Sequence, residues 1–263
     1  MLSHGLILFL VSAAIAQAGS VNTEPRANSV LHTKGDTSTK AFPSPGDERS
    51  NVRLSTHGKT WYAHVESQHK GAIELKFVRP PDSLMLLDSG EPLPFQTAEN
   101  GTAVQFTVPQ EKRTTPETVV AATWNLERWE QAVQTMEDNA PKAPPKPILF
   151  VGSSSIRGWD VPRYFPDLPV WNHGFGGSEY FDALCYANRI IFPFQPRAVV
   201  LYDGDNDIAR GKSAEWVLAD MKALVRVIHH ALPETPIIVL SIKTSLSRWD
   251  MHEEMEKANE LMG

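Results

Sequence analysis

Short apolar runs separated by turn residues fill the chain between residues 51 and 123. Seven such runs have the length and residue types of strands, at residues 52–54, 61–65, 72–78, 84–87, 93–98, 103–108 and 118–123. Asn100 and Gly101 both tolerate the positive φ of a type I′ turn, which predicts a two-residue hairpin there. Many short strands at this spacing predict a small antiparallel β-sandwich over residues 51–123.

Helical spacing replaces this pattern at residue 124. Leu126, Trp129, Val133 and Met136 recur on one face within residues 124–139, and a second helix is predicted over residues 213–232 with Ser213 as its N-cap. Three wholly apolar runs accompany these helices, at residues 148–151, 198–201 and 236–240. Buried strands that alternate with helices predict a parallel sheet covered on both faces, so residues 124–263 are predicted to form an α/β domain.

The first fifty residues show neither pattern. The apolar stretch at residues 6–16 is too short to span a bilayer, and Ala16-Gln17-Ala18 resembles a signal-peptidase site. We interpret residues 1–18 as a signal peptide, which predicts a secreted or periplasmic protein with no stable membrane span after cleavage. The alternatives are a short membrane anchor and a mis-set start codon. Residues 19–50, rich in Ser, Thr, Asn, Pro and Gly, are predicted to be a flexible spacer.

Composition excludes several function classes. The 25 basic and 31 acidic side chains give a formal net charge of -6, so no basic surplus exists to neutralise nucleic-acid phosphates. The single cysteine, Cys185, excludes an internal disulfide and a zinc site built from several thiolates.

Two groups of side chains resemble metal sites without meeting their requirements. Residues 203–207 begin like a calcium loop, but Ile208 and Ala214 stand where that loop needs glycine and glutamate. Three histidines lie on different predicted strands and turns without a carboxylate at ligand spacing: His57, His64 and His69. We interpret them as surface or half-buried residues, and we expect neither a metal nor a cofactor.

Polar and glycine-rich segments follow the predicted strands of the α/β domain. They read Gly152-Ser153-Ser154-Ser155, then "NHGFGGS" from Asn172 to Ser178, then Asp203-Gly204-Asp205-Asn206-Asp207. Ligand sites in open parallel sheets collect at the carboxyl ends of the strands. A serine at a strand-to-helix turn presents its hydroxyl beside N–H groups that the helix leaves unpaired, and acyl transfer needs that combination. The three segments therefore predict one shared polar site.

The same segments resemble the sequence blocks of the SGNH hydrolases, the GDSL-type lipase and esterase superfamily. The similarity covers residues 124–263 and includes residues 237–249, which resemble the stretch after the family's fourth strand. It implies a flavodoxin-like, three-layer parallel sheet, incomplete in this chain. It also implies Ser154 as the nucleophile, with an oxyanion hole formed by the Ser154 N–H, the Gly177 N–H and the Asn206 side chain. Ser153 stands where the family pattern has an aspartate.

The resemblance also specifies a general base that this sequence does not provide. The family carries its catalytic aspartate and histidine together as Asp-x-x-His in a last block, and no such spacing follows Trp249. We therefore expect a hydrolase domain that lacks its last block and is inactive without it. His173 lies within the predicted site, and we interpret it as a wall residue rather than as a substitute base. Trp159, Trp171 and Trp249 are interpreted as core or cleft lining.

The predicted sandwich resembles the C-terminal β-sandwich of family 29 α-L-fucosidases. The similar segments are "TWYAHV", "LLDSGEPLPF" and "GTAVQFTVPQEKRTTPETVVAATW". That module carries no catalytic carboxylate, so the resemblance implies no further site residue. Together the two resemblances suggest a secreted serine esterase acting on a small-molecule or polysaccharide ester, such as an acetylated carbohydrate. The alternative is a non-catalytic carbohydrate-interacting protein with a degenerate hydrolase domain, and the oligomeric state is left open.

Overall fold

The structure is a computed structural model that describes residues 42–43, 49–98 and 101–263. The predicted signal peptide, residues 1–18, and most of the predicted spacer lie outside the described residues. Within the described part, no helix combines the length and the apolar character that a bilayer crossing requires.

Two antiparallel sheets form a sandwich in the first half of the chain. The described strands are β1 (Phe42–Pro43), β2 (Arg53–His57), β3 (Thr60–Glu66), β4 (Ile73–Lys76), β5 (Ser83–Leu86), β6 (Phe95–Thr97), β7 (Ala103–Phe106) and β8 (Glu117–Thr123). One sheet has the order β1-β2-β3-β8-β5 and the other β4-β7-β6. Buried side chains from both sheets form the core between them, among them Leu54, Val65, Leu75, Val104 and Val120. The predicted antiparallel β module is therefore present.

The β6–β7 hairpin is present, but its turn differs from the prediction. The Ala98 N–H donates to the Ala103 carbonyl and the Gly101 N–H donates to the Ala98 carbonyl, each at 2.8 Å. These bonds close the hairpin around residues 99–102, so the predicted two-residue type I′ turn is wrong. Gly101 does have positive φ (69°), whereas Glu99 and Asn100 lie outside the described residues.

Part of the predicted spacer is built into the fold. Phe42–Pro43 pairs with β2, and Ser50 forms an isolated bridge with Leu75. The Arg49 side chain is fully buried, because its guanidinium is paired with the carboxylate of Asp220 at 2.8 Å. The prediction of a spacer over residues 19–50 is therefore wrong for residues 42–43 and 49–50.

The second half of the chain contains a parallel sheet. Its described strands are β9 (Ile148–Gly152), β10 (Val170–Gly174), β11 (Ala198–Tyr202) and β12 (Ile237–Val239), in the order β10-β9-β11-β12. Counted along the chain this order is 2-1-3-4, which agrees with the flavodoxin-like arrangement. Gly152 is in register with Gly174 on one side and Tyr202 on the other, so three strands end at one level.

Helices cover both faces of this sheet and give three layers. The described helices are α1 (Glu127–Asn139), α2 (Ser154–Arg157), α3 (Val161–Tyr164), α4 (Tyr180–Ile190), α5 (Asp205–Ala209), α6 (Ala214–Ala231) and α7 (His252–Met262). Leu149 and Val199 pack in one core with residues of α1, α4, α6 and α7, whereas Phe150 and Val200 pack with residues of α2 and α3. Ser213 caps α6 as predicted, because its hydroxyl accepts the Trp216 N–H at 3.3 Å.

The sandwich and the α/β region share one hydrophobic core. The rings of Trp61 in β3, Trp124 after β8 and Phe181 in α4 contact one another with centroid distances of 5.2–5.5 Å. The Arg79 guanidinium lies 4.8 Å from the Phe181 ring and pairs with Glu179 and Asp182. Because these contacts are aromatic and ionic as well as apolar, the sandwich is held in a fixed position on α4.

Candidate functional site

The three polar segments meet at the carboxyl ends of β9, β10 and β11. Hydrogen bonds connect them: the Phe175 N–H donates to the Gly152 carbonyl (2.8 Å), and the Asn206 carboxamide donates to the Ser178 carbonyl (3.0 Å). The Ser153 N–H donates to the carbonyl of Tyr202, the residue directly before the third segment (3.0 Å). The prediction that these segments share one edge of the sheet is therefore confirmed. The edge lies between β9 and β11, where the strand order reverses and ligands bind in such sheets.

Ser154 and Ser153 differ sharply in their environments. Ser153 is buried, and its hydroxyl points to Asp205 with an Oγ to Oδ1 distance of 3.5 Å. Ser154 is the first residue of α2 and is exposed. Its hydroxyl has no hydrogen-bond partner among the described residues, so it is accessible to a ligand and is not held by a base there.

Two backbone N–H groups at this edge are left without acceptors. The N–H groups of Ser154 and Gly177 make no hydrogen bond within the part of the chain that the structure describes. Ser154 begins a helix, where the first N–H groups have no intrahelical acceptor. Gly177 has a φ of +84°, and its carbonyl accepts a bond from Arg210 at 3.1 Å. Unpaired donors of this kind can stabilise a developing oxyanion.

Asn172 fixes α2 against β10. Its carboxamide nitrogen donates to the carbonyls of Ile156 (2.7 Å) and Trp159 (2.9 Å), and its carboxamide oxygen accepts the Gly174 N–H (2.8 Å). Asn172 and Gly174 belong to the end of β10, so the predicted second loop starts later than expected, at Phe175.

Arg248 orients Asn206, a role that the sequence did not indicate. Its guanidinium donates to the Asn206 carboxamide oxygen at 2.9 Å and to Asp205 at 3.0 Å. The Asn206 nitrogen is thereby turned toward Ser178, to whose carbonyl it donates one N–H, and its second N–H remains available. Arg248 lies in the segment Leu246–Met251, inside the stretch that resembles the family's fourth block. That resemblance located the stretch but assigned no role to its arginine.

A buried ionic cluster lies next to the segment that contains Asn206. Asp207 accepts the Gly204 N–H at 3.1 Å, a hydrogen bond within its own loop. Lys212 lies within 2.9 Å of carboxylate oxygens of Asp207, Asp220 and Glu179. Burial raises the pKa of Asp207 to about 6, although the Lys212 ammonium acts in the opposite direction. Lys212 is thus the cation that Asp207, Asp220 and Glu179 share, and Asp220 and Glu179 have arginine partners as well.

His173 is a wall residue with both ring nitrogens occupied. Trp171 Nε1 donates to Nε2 of His173 at 3.0 Å, and Nδ1 of His173 lies 2.7 Å from the Ile190 carbonyl. Because Nε2 accepts, Nδ1 carries the proton and donates to Ile190, so the ring is neutral. Burial lowers the pKa of His173 to about 4. These contacts favour the interpretation of a wall residue over that of a substitute base.

The buried neutral state of His173 predicts a loss of stability in acid. Its pKa is about 4 in the folded protein and near the ordinary 6.5 when unfolded, so the unfolded chain binds the proton more tightly between these values. Lowering the pH from 7 to 5 should cost about 2 kcal/mol of unfolding free energy from this residue. Urea denaturation of the wild type and of His173→Asn at both pH values tests this. An equal pH dependence in the two proteins would contradict it.

A second serine–histidine–carboxylate set lies in the sandwich and was not anticipated. Ser55 Oγ lies 2.8 Å from His64 Nε2, and His64 Nδ1 lies 3.0 Å from Glu117. Ser55 is buried in the middle of β2, between β1 and β3, so its neighbouring N–H groups belong to a paired strand. Without unpaired donors the set cannot stabilise an oxyanion. We interpret it as a buried hydrogen-bond network joining three strands.

The structure agrees with only some of the predictions made for the three histidines and the tryptophans. His57 and His69 are half-buried as predicted, but His64 is buried, because Ser55 and Glu117 satisfy its ring. Trp159 packs on Phe150. Trp249 is half-exposed and stacks on His252, so it is not a core residue, and its assignment as cleft lining stays a prediction. Among the described residues, no three His, Cys, Asp or Glu side chains converge as metal ligands.

Comparisons with known proteins give similarities of fold at low identity. No protein-family model and no curated protein matches the sequence. A Streptococcus pneumonia structure named for platelet activating factor has 20% identity and a TM-score of 0.44, covering 52% of this chain and 67% of that one. A GDSL-like lipase from Bacteroides thetaiotaomicron has 17% identity and a TM-score of 0.41, covering 52% of this chain and 69% of the lipase.

A third solved structure relates to the sandwich resemblance. Thermotoga maritima alpha-fucosidase has 16% identity and a TM-score of 0.24, covering 32% of this chain and 19% of the fucosidase. At these identities and TM-scores the similarities establish neither a family nor an activity for this chain.

Proposed function

We propose that the α/β region is a serine esterase domain that cleaves acyl esters through an acyl-enzyme on Ser154. The observation that carries the proposal is the pairing of an exposed Ser154 hydroxyl with two unpaired N–H donors, those of Ser154 and Gly177, at the edge where the three segments are bonded together. Nucleophile and oxyanion donors are the two components that acyl transfer requires. The resemblance of the same segments to SGNH hydrolase blocks supports the assignment independently.

The reaction would proceed in two steps. The Ser154 Oγ attacks the ester carbonyl, its proton passes to a base, and the carbonyl oxygen becomes an oxyanion that accepts hydrogen bonds from Ser154, Gly177 and Asn206. Collapse of this intermediate breaks the bond to the alcohol, which leaves with a proton, and the acyl group remains on Ser154. Water then hydrolyses the acyl-enzyme and regenerates the hydroxyl.

The base is the missing component of the described site. A serine hydroxyl is a weak nucleophile at neutral pH unless a base removes its proton. Since no described side chain contacts the Ser154 hydroxyl, we expect the 263-residue chain to turn over esters near the background rate. Loss of the base and of the group that orients it typically lowers the rate by about 10⁴ to 10⁶.

The substrate and the cellular location are supported by the sequence alone. The signal-like segment at residues 1–18 favours an exported protein, and the fucosidase-like sandwich favours a carbohydrate ester such as an acetylated polysaccharide. A small-molecule ester would use the same chemistry at Ser154.

The proposal predicts a specific acyl adduct when an external base is supplied. We expect incubation with p-nitrophenyl acetate and imidazole to acetylate Ser154, because imidazole can accept the proton that no described residue accepts. The adduct should persist once imidazole and substrate are removed by gel filtration, since its hydrolysis needs the same base. Peptide mass spectrometry measures the site of acetylation.

Two variants make this test specific. The Ser154→Ala protein should lose the adduct, and Ser155→Ala, which removes the neighbouring hydroxyl, should keep it. Equal acetylation of all three proteins, or none above that of surface lysines, would contradict the proposal and favour the non-catalytic alternative.

A further inference from the structure

A groove opens beside the three segments, between α1 and the end of β10. Its volume is about 500 Å³, and its walls include Trp129 and Met136 of α1 and Trp171 of β10. The segment 174–176 lines it as well and directly precedes Gly177. The groove is therefore continuous with the backbone donor proposed for the oxyanion.

Two arginines approach Gly176 and Gly177. A side-chain carbon built at Gly176 would lie 2.5 Å from Cζ of Arg157, and one built at Gly177 would lie 3.1 Å from Nη2 of Arg128. Real side-chain carbons do not tolerate the first distance, so Gly176 is what allows the Arg157 guanidinium to lie against the loop. One guanidinium group thus lies near Gly176 and the other near Gly177, and both arginines line the groove.

Both guanidinium groups lack an anionic partner. Neither Arg128 nor Arg157 forms an ion pair or a side-chain hydrogen bond with a described residue, although Arg128 lies over the Trp129 ring at 4.3 Å. By contrast, Arg189 pairs with Glu137 and Glu130, and Arg53 pairs with Glu117.

The groove as a whole is electropositive. None of the described residues that line it is an Asp or a Glu, and His173 in its wall is neutral. This local excess of positive charge stands out in a chain whose formal net charge is -6. A concave site with two unpaired cations concentrates anionic ligands.

We propose that this groove binds an anionic substituent of the ester substrate, a carboxylate, sulfate or phosphate held between Arg128 and Arg157. Guanidinium groups bind such oxyanions through paired N–H donors, and the indole rings of the groove can contact the apolar face of the attached ring or chain. The proposal rests on the proposed esterase function, because the anion would lie beside an ester carbonyl positioned at Gly177. It narrows the substrates to acidic esters.

Binding without catalysis tests the groove independently of Ser154. Ligand-observed NMR titrations would compare glucuronate, glucose 6-sulfate and glucose 6-phosphate with uncharged glucose. We expect at least one charged sugar to bind at least tenfold more tightly than glucose, and the tightest of the three identifies the substituent. Exchange of both groove arginines, Arg128→Gln with Arg157→Gln, should weaken that binding at least tenfold.

The matched control is Arg163→Gln, which removes an exposed arginine of α3 outside the groove and should leave binding within twofold. Ser154→Ala should also bind like the wild type, so a failure of the esterase proposal would not alter this result. Equal binding of charged and uncharged sugars, no binding of any charged sugar, or full binding by the double variant would overturn the proposal. Acetylation of Ser154 together with any of those results would overturn the groove assignment alone.

Discussion

Replacing Lys212 with methionine is expected to destabilise the protein by about 3–5 kcal/mol, because it leaves three buried carboxylates without their shared cation. Lys212 is almost fully buried, with its ammonium within 2.9 Å of Asp207, Asp220 and Glu179. Methionine retains the length of the side chain, so the change removes charge and hydrogen bonds with little loss of volume. Urea denaturation at pH 7 measures the effect.

The pH dependence separates an electrostatic cause from a packing defect. Without Lys212, the pKa of Asp207, which burial already raises to about 6, should rise further in the folded protein. Glu179 would lose one of the cations that lower its pKa. A carboxyl whose folded pKa is raised loses stability as the pH rises through that range, so the penalty should be smaller at pH 5 than at pH 7.

The surface variant Lys257→Met is the control, since it removes an exposed pair with Glu215 and should leave the denaturation midpoint unchanged. A Lys212→Met penalty that does not change with pH would show that packing, rather than charge, is the cause.

The sequence predicted those strands and helices whose pattern of apolar residues matches the side chains that the fold buries. Wholly apolar runs such as residues 148–151 indicated buried parallel strands, and the spacing of Trp129, Val133 and Met136 indicated α1. The polar segments were placed at one edge because the carboxyl ends of parallel strands must meet there. None of these inferences needed a contact between distant side chains.

The features that were missed depend on such contacts. Arg49 was assigned to the spacer because the composition of residues 19–50 is polar. Its partner Asp220 lies 171 residues later, so no local pattern indicates the ion pair. Arg248 likewise gains its role from Asn206, which lies 42 residues earlier in the chain. The hairpin turn failed for a different reason, since the identity of Asn100 and Gly101 does not specify how many residues the strands leave unpaired.

Substituting Gly152 by alanine is expected to destabilise the protein by at least about 4 kcal/mol. Gly152 ends β9 directly before the serine segment and has a φ of +148°, which residues with a side chain rarely adopt. A methyl group there would lie 1.9 Å from the Tyr202 carbonyl oxygen, which accepts the Ser153 N–H. Relief of the clash requires β9 and β11 to separate at their ends, so the three segments should lose their alignment as well.

Gly211→Ala isolates the contribution of the clash. Gly211 also has positive φ (89°), but a methyl group built there meets no atom within 4 Å. Backbone strain alone should therefore cost about 1–2 kcal/mol in that variant. Thermal and urea denaturation of the two variants measure the difference, and imidazole-supported acetylation of Ser154 reports on the site where Gly152→Ala still folds. Equal destabilisation of the two variants would mean that the strand ends move apart at little cost, and that the tight contact between Gly152 and Tyr202 does not set the position of Ser154.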